Sequence, residues 1–280
     1  MQNILTFRFS NSVFEPIWNR KHIEFVEINL FEKGGIEGRG AYYQEAGALR
    51  DVGQNHMLVM LALIAMEKPK SLSGAAICSA RVKVLKQLTE IKPKDLSKKV
   101  VRAQYEDFHN EEKVHKASSA ETFFSLQVDI KNSRWRGVPF YLSSGKALNN
   151  SRVEIKIHFK DIDPKFFLPE KFAGQEKNIL TFRIQPHEGI SLLFWTKVPG
   201  FEKKIESREL SFSYKDHQNE IPDAYEKILF DALQGDQTLF TSTEEVQAAW
   251  KFITPILEQW HKVPIKKYKM GSDPSDLKLG

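Results

Sequence analysis

The chain has 280 residues, 41% of them hydrophobic, and 41 basic against 36 acidic side chains give it a net charge of +5. That length and apolar share suffice for a sizeable core and exclude disordered and collagen-like classes. The basic residues stand among acidic ones, as in KPKDLSKK followed by YEDFHNEEK, so no concentrated patch for nucleic acid is expected.

The opening MQNILTFRFS is helix-like and lacks the charged, apolar, then small layout of a signal peptide. Pro16 should end or bend this stretch. HIEFVEINLF follows as a strand with Ile23, Phe25 and Ile28, and GGIEGRGAYY reads as an irregular glycine-rich segment. A helix is predicted over 51–66. It is apolar nearly all round in its second half and should lie deep between layers. The run Met57–Met66 within it is far shorter than the roughly 20 apolar residues of a membrane span, so no membrane association is expected. His56 on this helix is expected to be a satisfied core histidine. Cys78, the single cysteine, can form no internal disulfide and no Cys-based zinc cage, which suits a reducing cytoplasm. SARVKVLKQL reads as a helix capped by Ser79, and KPKDLSKK as a surface turn.

The second half changes period. In RVEIKIHFK, Val153, Ile155, Ile157 and Phe159 alternate with polar residues, which predicts a half-buried strand. ETFFSLQVDI, GVPFYL, NILTFRIQ, ISLLFWTK and ELSFSY are further strands. With no helices between them they argue for a large, mainly antiparallel sheet. Pro222 sits at a first-turn position of a helix that Gly235 closes. The last helix opens with Ser242 and Glu245 in capping-box spacing; Val246, Trp250, Ile253, Leu257 and Trp260 form its expected buried face, and Pro255 should kink it. The polar tail from about 262 is expected to fray. The fold class read from the sequence is α+β, one domain over 1–280, with helices packed on one face of a large, mainly antiparallel sheet.

Common catalytic motifs are missing. Gly38-Arg39-Gly40 lacks the third glycine of a dinucleotide cradle and Gly145-Lys146 lacks the upstream glycine of a P-loop. The histidines show no H-x-x-x-H pair.

Several ordered segments instead resemble the C-terminal domain of glucose-6-phosphate dehydrogenases: QNILTFRFSNSVFEPIWNRKHI, EGRGAYYQEAGALRDVGQNHMLVMLALIAMEKP, RVKVLKQL, ETFFSLQVDIKNSRWRGVPFYLSSGKAL, FRIQPHEGI, IPDAYEKILFDALQGDQTLF and AAWKFITPIL. The resemblance implies an enzyme that oxidises the C1 hydroxyl of glucose 6-phosphate to the lactone and passes hydride to NADP. It implies that the catalytic His and the cofactor loop belong to an N-terminal half. The family motif R-I-D-H-Y-L-G-K-E stands just before the segment that begins this chain, so the chain alone is expected to turn over nothing. A separately encoded N-terminal half is then an expected partner, and a scaffold that kept the fold without the chemistry is the alternative.

Lys146, in SSGKAL, matches the family lysine that contacts glucose 6-phosphate. The family's second cation, five residues on, is here Ser151, and Arg152 is the nearest basic substitute. Gln185, in I-Q-P, matches a glutamine near the sugar. Arg183 matches an arginine that in some members helps hold a second, structural NADP, but Ser143 stands where those members have arginine, so no structural NADP is expected. NADP would be bound by the N-terminal half. The resemblance further implies a homodimer formed through the β-sheet, with Phe212, Tyr214 and Trp195 as candidate contributors. Glu67-Lys68-Pro69 imitates a catalytic motif of the absent half and is read as structural.

Overall fold

The computed structural model describes residues 2–160, 177–201, 205–214 and 224–279. Chain order runs through helix α1 (Gln2–Ser10), strand β1 (Ile23–Phe31), helix α2 (Gly40–Ala48), a π-wound stretch (Leu49–Met57) and the continuing helix α3 (Leu58–Ala65). Next come α4 (Gly74–Leu85), a short α5 (Leu96–Lys99), β2 (Val100–Tyr105), β3 (Phe123–Val128), β4 (Phe140–Gly145) and β5 (Arg152–Phe159). The strands β6 (Ile179–Gln185), β7 (Gly189–Lys197) and β8 (Ile205–Ser213) precede α6 (Ala224–Gln234), α7 (Thr243–Glu258) and a last strand, β9 (Ile265–Tyr268).

The strands form one nine-stranded sheet in the order β8-β7-β6-β5-β1-β4-β3-β2-β9. Two neighbouring pairs, β1 with β4 and β2 with β9, run parallel, and the others are antiparallel. The α+β reading with a mainly antiparallel sheet therefore holds. Alternation sorts the sheet into two faces. Ile28, Leu142, Ile155, Leu180 and Phe182 face the helices. Phe182 meets Phe7 of α1 edge-on at 5.2 Å, and a Cβ on Gly53 would touch Phe124 at 2.9 Å. Helix α3 is buried throughout, as its unbroken apolar run requires.

The opposite face carries Phe123, Ser125, Ser143, Asn29, Phe31 and Glu154, and these too are buried. The C-terminal segment lies across it. Lys278 Nζ pairs with Glu27 at 3.0 Å and sits 5.3 Å above the Phe31 ring, while the Leu279 amide donates to Ser125 Oγ at 3.2 Å. The fraying expected from about 262 is thus corrected: β9 pairs with β2, and Tyr268 and Leu277 are buried.

Other local expectations shift. Helix α2 begins inside the segment read as irregular. Ser73, not Ser79, caps α4, accepting from the Ala76 amide at 3.4 Å. His56 is exposed rather than buried. In α7 the capping box of Ser242 and Glu245 is present, but the buried stripe is Glu245, Ala248, Ala249, Phe252, Ile253 and Ile256. Val246 and Trp250 are exposed. Glu245 turns the helix this way, because its carboxylate pairs with the buried Arg81 of α4 at 2.6 Å. Gly235 follows α6 with φ +67°, a C-cap conformation suited to glycine. Pro222 lies outside the described residues.

Candidate functional site

Lys146 stands one residue past β4, and its backbone is held firmly. Its amide donates to Thr122 at 3.0 Å and its carbonyl accepts the Tyr268 hydroxyl at 2.7 Å. The Ala147 and Leu148 amides donate to the carbonyls of Gly34 and Glu32 at 2.8 and 3.0 Å, which straps this turn to the end of β1. The glycine before the lysine has a steric cause: a Cβ on Gly145 would lie 2.4 Å from the Phe123 ring.

The Lys146 side chain is only 3% exposed. A buried ammonium needs a counter-charge, and Glu32 Oε2 supplies it at 2.6 Å. The same Nζ lies 5.7 Å from the centre of the Tyr43 ring in α2, within range of a cation–π contact. Burial, first of all, holds the Tyr43 phenol well above its usual pKa, and the negative charges of Glu121, Asp51 and Glu32 add to this. Tyr43 is therefore a neutral hydroxyl close to three carboxylates. Asp51, in the π-wound stretch, accepts from the Tyr42 hydroxyl at 3.2 Å. π-type winding is often found at functional sites; here it begins two residues after Gly47, whose φ of +65° suits glycine.

Glu121 anchors that junction. Its carboxylate accepts the Leu49 amide at 2.9 Å and the Trp260 indole N–H at 2.7 Å. A Cβ on Gly47 would lie 2.5 Å from it. The end of the sheet beside α2 thus gathers Lys146, Glu32, Tyr43 and Asp51: one cation, two carboxylates and a phenol. Sequence reasoning found only the lysine. Glu32 comes level with Lys146 through the parallel register of β1 and β4, and Tyr43 approaches it from α2.

Arg152 and Gln185 stand at the same end of the sheet but not beside Lys146. Phe31 of β1 pairs with Gly145 on one side and with Arg152 on the other. Arg152 lies over the Phe31 ring at 5.3 Å, with Glu154 Oε1 at 3.3 Å from its Nε, on the face opposite α2. Ser151 Oγ is occupied, accepting the Lys33 amide at 2.8 Å. Gln185 is exposed at the end of β6, opposite Val153. Three strand spacings separate it from β4, about 14 Å. Arg183 is also exposed, whereas Ser143 is buried and hydrogen-bonded to Ser125 Oγ at 2.9 Å.

Comparison with known proteins identifies the family of the chain. A family model described as glucose-6-phosphate dehydrogenase, C-terminal domain, matches residues 5–278. The glucose-6-phosphate 1-dehydrogenase of Borreliella burgdorferi is 40% identical, over 98% of this chain and 59% of its own length. Glucose-6-phosphate 1-dehydrogenase 5, cytoplasmic, of Arabidopsis thaliana is 40% identical over 97% of the chain and 52% of its length. Among solved structures, a glucose-6-phosphate dehydrogenase in complex with its substrate glucose-6-phosphate superposes with a TM-score of 0.87 at 34% identity, covering 97% of this chain and 57% of that one. The Mycobacterium avium enzyme gives 0.84 at 31% identity, with the same coverage. The chain spans little more than half the length of these relatives. An ordered match over nearly all of its own residues, together with the superposition at a TM-score of 0.87, places the chain in the glucose-6-phosphate dehydrogenase C-terminal domain family.

Proposed function

We propose that this chain forms the sheet-side wall of a glucose 6-phosphate site, with Lys146 meeting the phosphate. The observation that carries the reading is the nearly buried ammonium at the end of β4, held by Glu32 and the Tyr43 ring. An ammonium has three donors, so a phosphate oxygen can join Glu32 as an acceptor, and a charge-assisted hydrogen bond in a partly desolvated site is among the stronger ones. Tyr43, a neutral phenol, can donate to a sugar or phosphate oxygen. Gln185, on the exposed face of β6, offers an amide to sugar hydroxyls. Arg152, paired with Glu154 over the Phe31 ring, is given no role in this reading.

The substrate complex among the solved relatives supports glucose 6-phosphate as the ligand. In this reading NADP accepts the C1 hydride when bound and is held by residues outside this chain. The chain's own residues bind and orient the sugar phosphate and shield one side of it from water. The cytoplasmic plant relative supports a cytoplasmic setting, and no helix among the described residues is long and apolar enough to cross a membrane.

A second copy of the chain is the proposed partner, meeting the outer part of the sheet. β8 is an edge strand, and Leu210 and Phe212 are 61% and 50% exposed. Exposed apolar side chains on an unpaired edge call for a covering partner.

Ligand-observed ³¹P NMR tests the substrate reading. Adding the chain should broaden the phosphorus resonance of glucose 6-phosphate, and Lys146→Ala should restore it. Equal broadening by both proteins would remove Lys146 from the site.

A further inference from the structure

A sizeable hollow lies away from the sheet end. It measures about 620 Å³ and is lined by the segment after α3 (Glu67–Lys70), one stripe of α4 and the loop at Asn132 and Ser133. A hollow of this volume suits a small ligand. Its α4 wall is Ala76, Ser79, Ala80, Lys83 and Val84, spaced by threes and fours as one helix face requires, with Gln87 just past the helix end.

The charge of this hollow is unbalanced. Lys68 and Lys70 come from one wall and Lys83 from the other. None of the three has an ion-pair partner among the described residues. The one carboxylate in the lining, Glu67, is committed to Arg134, whose Nη2 and Nε reach it at 2.6 and 2.9 Å. The imbalance extends beyond the hollow: residues 67–99 hold nine basic and three acidic side chains, whereas the whole chain has a net charge of only +5. Two of those nine, Arg81 and Lys99, are neutralised by Glu245 and Asp129.

Neutral donors accompany the lysines. The Ser79 and Ser133 hydroxyls are exposed. Gln87 spends its carbonyl oxygen on Asn132 Nδ2 at 2.8 Å, which leaves its amide hydrogens directed elsewhere. The floor, Ala65 and Val84, is apolar and buried.

We propose that this hollow is a second ligand site, distinct from the sheet end, for a small molecule carrying two or three linked phosphates. Three ammoniums match the three to four negative charges of such a group at neutral pH, whereas a single phosphate dianion would leave a cation unpaired. The site sits at the far end of the 51–65 helical stretch from Asp51, about 20 Å away at 1.5 Å per residue, and it does not depend on the assignment of the sugar-phosphate site.

Isothermal titration of the chain with inorganic tripolyphosphate, at about 0.15 M salt where diffuse surface attraction is screened, tests this. The expected result is saturable binding at one equivalent, weakened at least tenfold in the double variant Lys70→Ala, Lys83→Ala. Lys146→Ala should bind as tightly as the wild type. A second double variant, Lys92→Ala with Lys94→Ala, removes the same charge from the same basic stretch but outside the hollow, and should also bind normally. Circular dichroism should be the same for all four proteins. The proposal is overturned if tripolyphosphate does not bind, if the Lys92, Lys94 variant loses as much affinity as the Lys70, Lys83 variant, or if only a long polyanion such as RNA binds.

Discussion

Lys146 and Glu32 are unequal partners, 3% and 39% exposed at the side chain, and that asymmetry sets what their removal does. Lys146→Ala leaves a carboxylate that water can reach, so the loss of stability should stay near 1 kcal/mol. Glucose 6-phosphate affinity should fall at least tenfold, about 1.4 kcal/mol, read from the ³¹P titration. Glu27 behaves differently. Burial opposes its charge, but hydrogen bonds from His158 and Lys278 outweigh this and bring its pKa down to about 2, from 4.5. A depressed carboxylate contributes stability that is fully present above its unfolded value and is lost as pH falls towards the folded one. Glu27→Gln should therefore lower the melting temperature at pH 7 and flatten its decline between about pH 4.5 and 2, on the order of 2 kcal/mol. Thermal melts across that range measure it. At this scale the sequence revealed Lys146 through the motif around it. Glu32 and Tyr43 were not legible, because their proximity arises from a parallel strand pairing and a helix crossing, neither of which local spacing encodes.

Elements show where pattern suffices and where long-range charge overrides it. The capping box of α7 follows from Ser242 and Glu245 alone, and Ser242→Ala should cost about 1 kcal/mol in a denaturant melt. Glu245→Ala should cost more, about 3–5 kcal/mol, because it strands the fully buried Arg81 guanidinium without its partner. That pair also explains the rotated face of α7: the sequence offers two apolar stripes, and the arginine on α4 decides between them. Gly47→Ala should destabilise by more than 2 kcal/mol, since it combines a left-handed backbone with a contact inside 3 Å of Glu121. The strand β9 was invisible for a similar reason. Its residues Ile265, Lys266, Lys267 and Tyr268 are mostly polar, and what makes them a strand is the open edge of β2, more than 150 residues earlier.

Across the whole molecule, alternation in RVEIKIHFK and its neighbours was enough to predict one large, mainly antiparallel sheet. The burial of its second face under the C-terminal segment was not, since that contact joins Lys278 to Glu27 over 251 positions. The outer strands β7 and β8 remain half-buried or exposed, which is the basis for the proposed dimer. Sedimentation should show a dimer for the wild type and a monomer for the Leu210→Glu, Phe212→Glu double variant.

The central claim is that this chain supplies the Lys146 wall of a glucose 6-phosphate site and needs a dinucleotide-binding half for turnover. Its most direct test is NADP reduction by glucose 6-phosphate, measured for the chain alone and for the chain mixed with a separately expressed dinucleotide-binding half of a relative. The account predicts no rate alone, a rate on mixing, and loss of that rate with Lys146→Ala. A rate from the chain alone, or a mixed rate indifferent to Lys146→Ala, would contradict it.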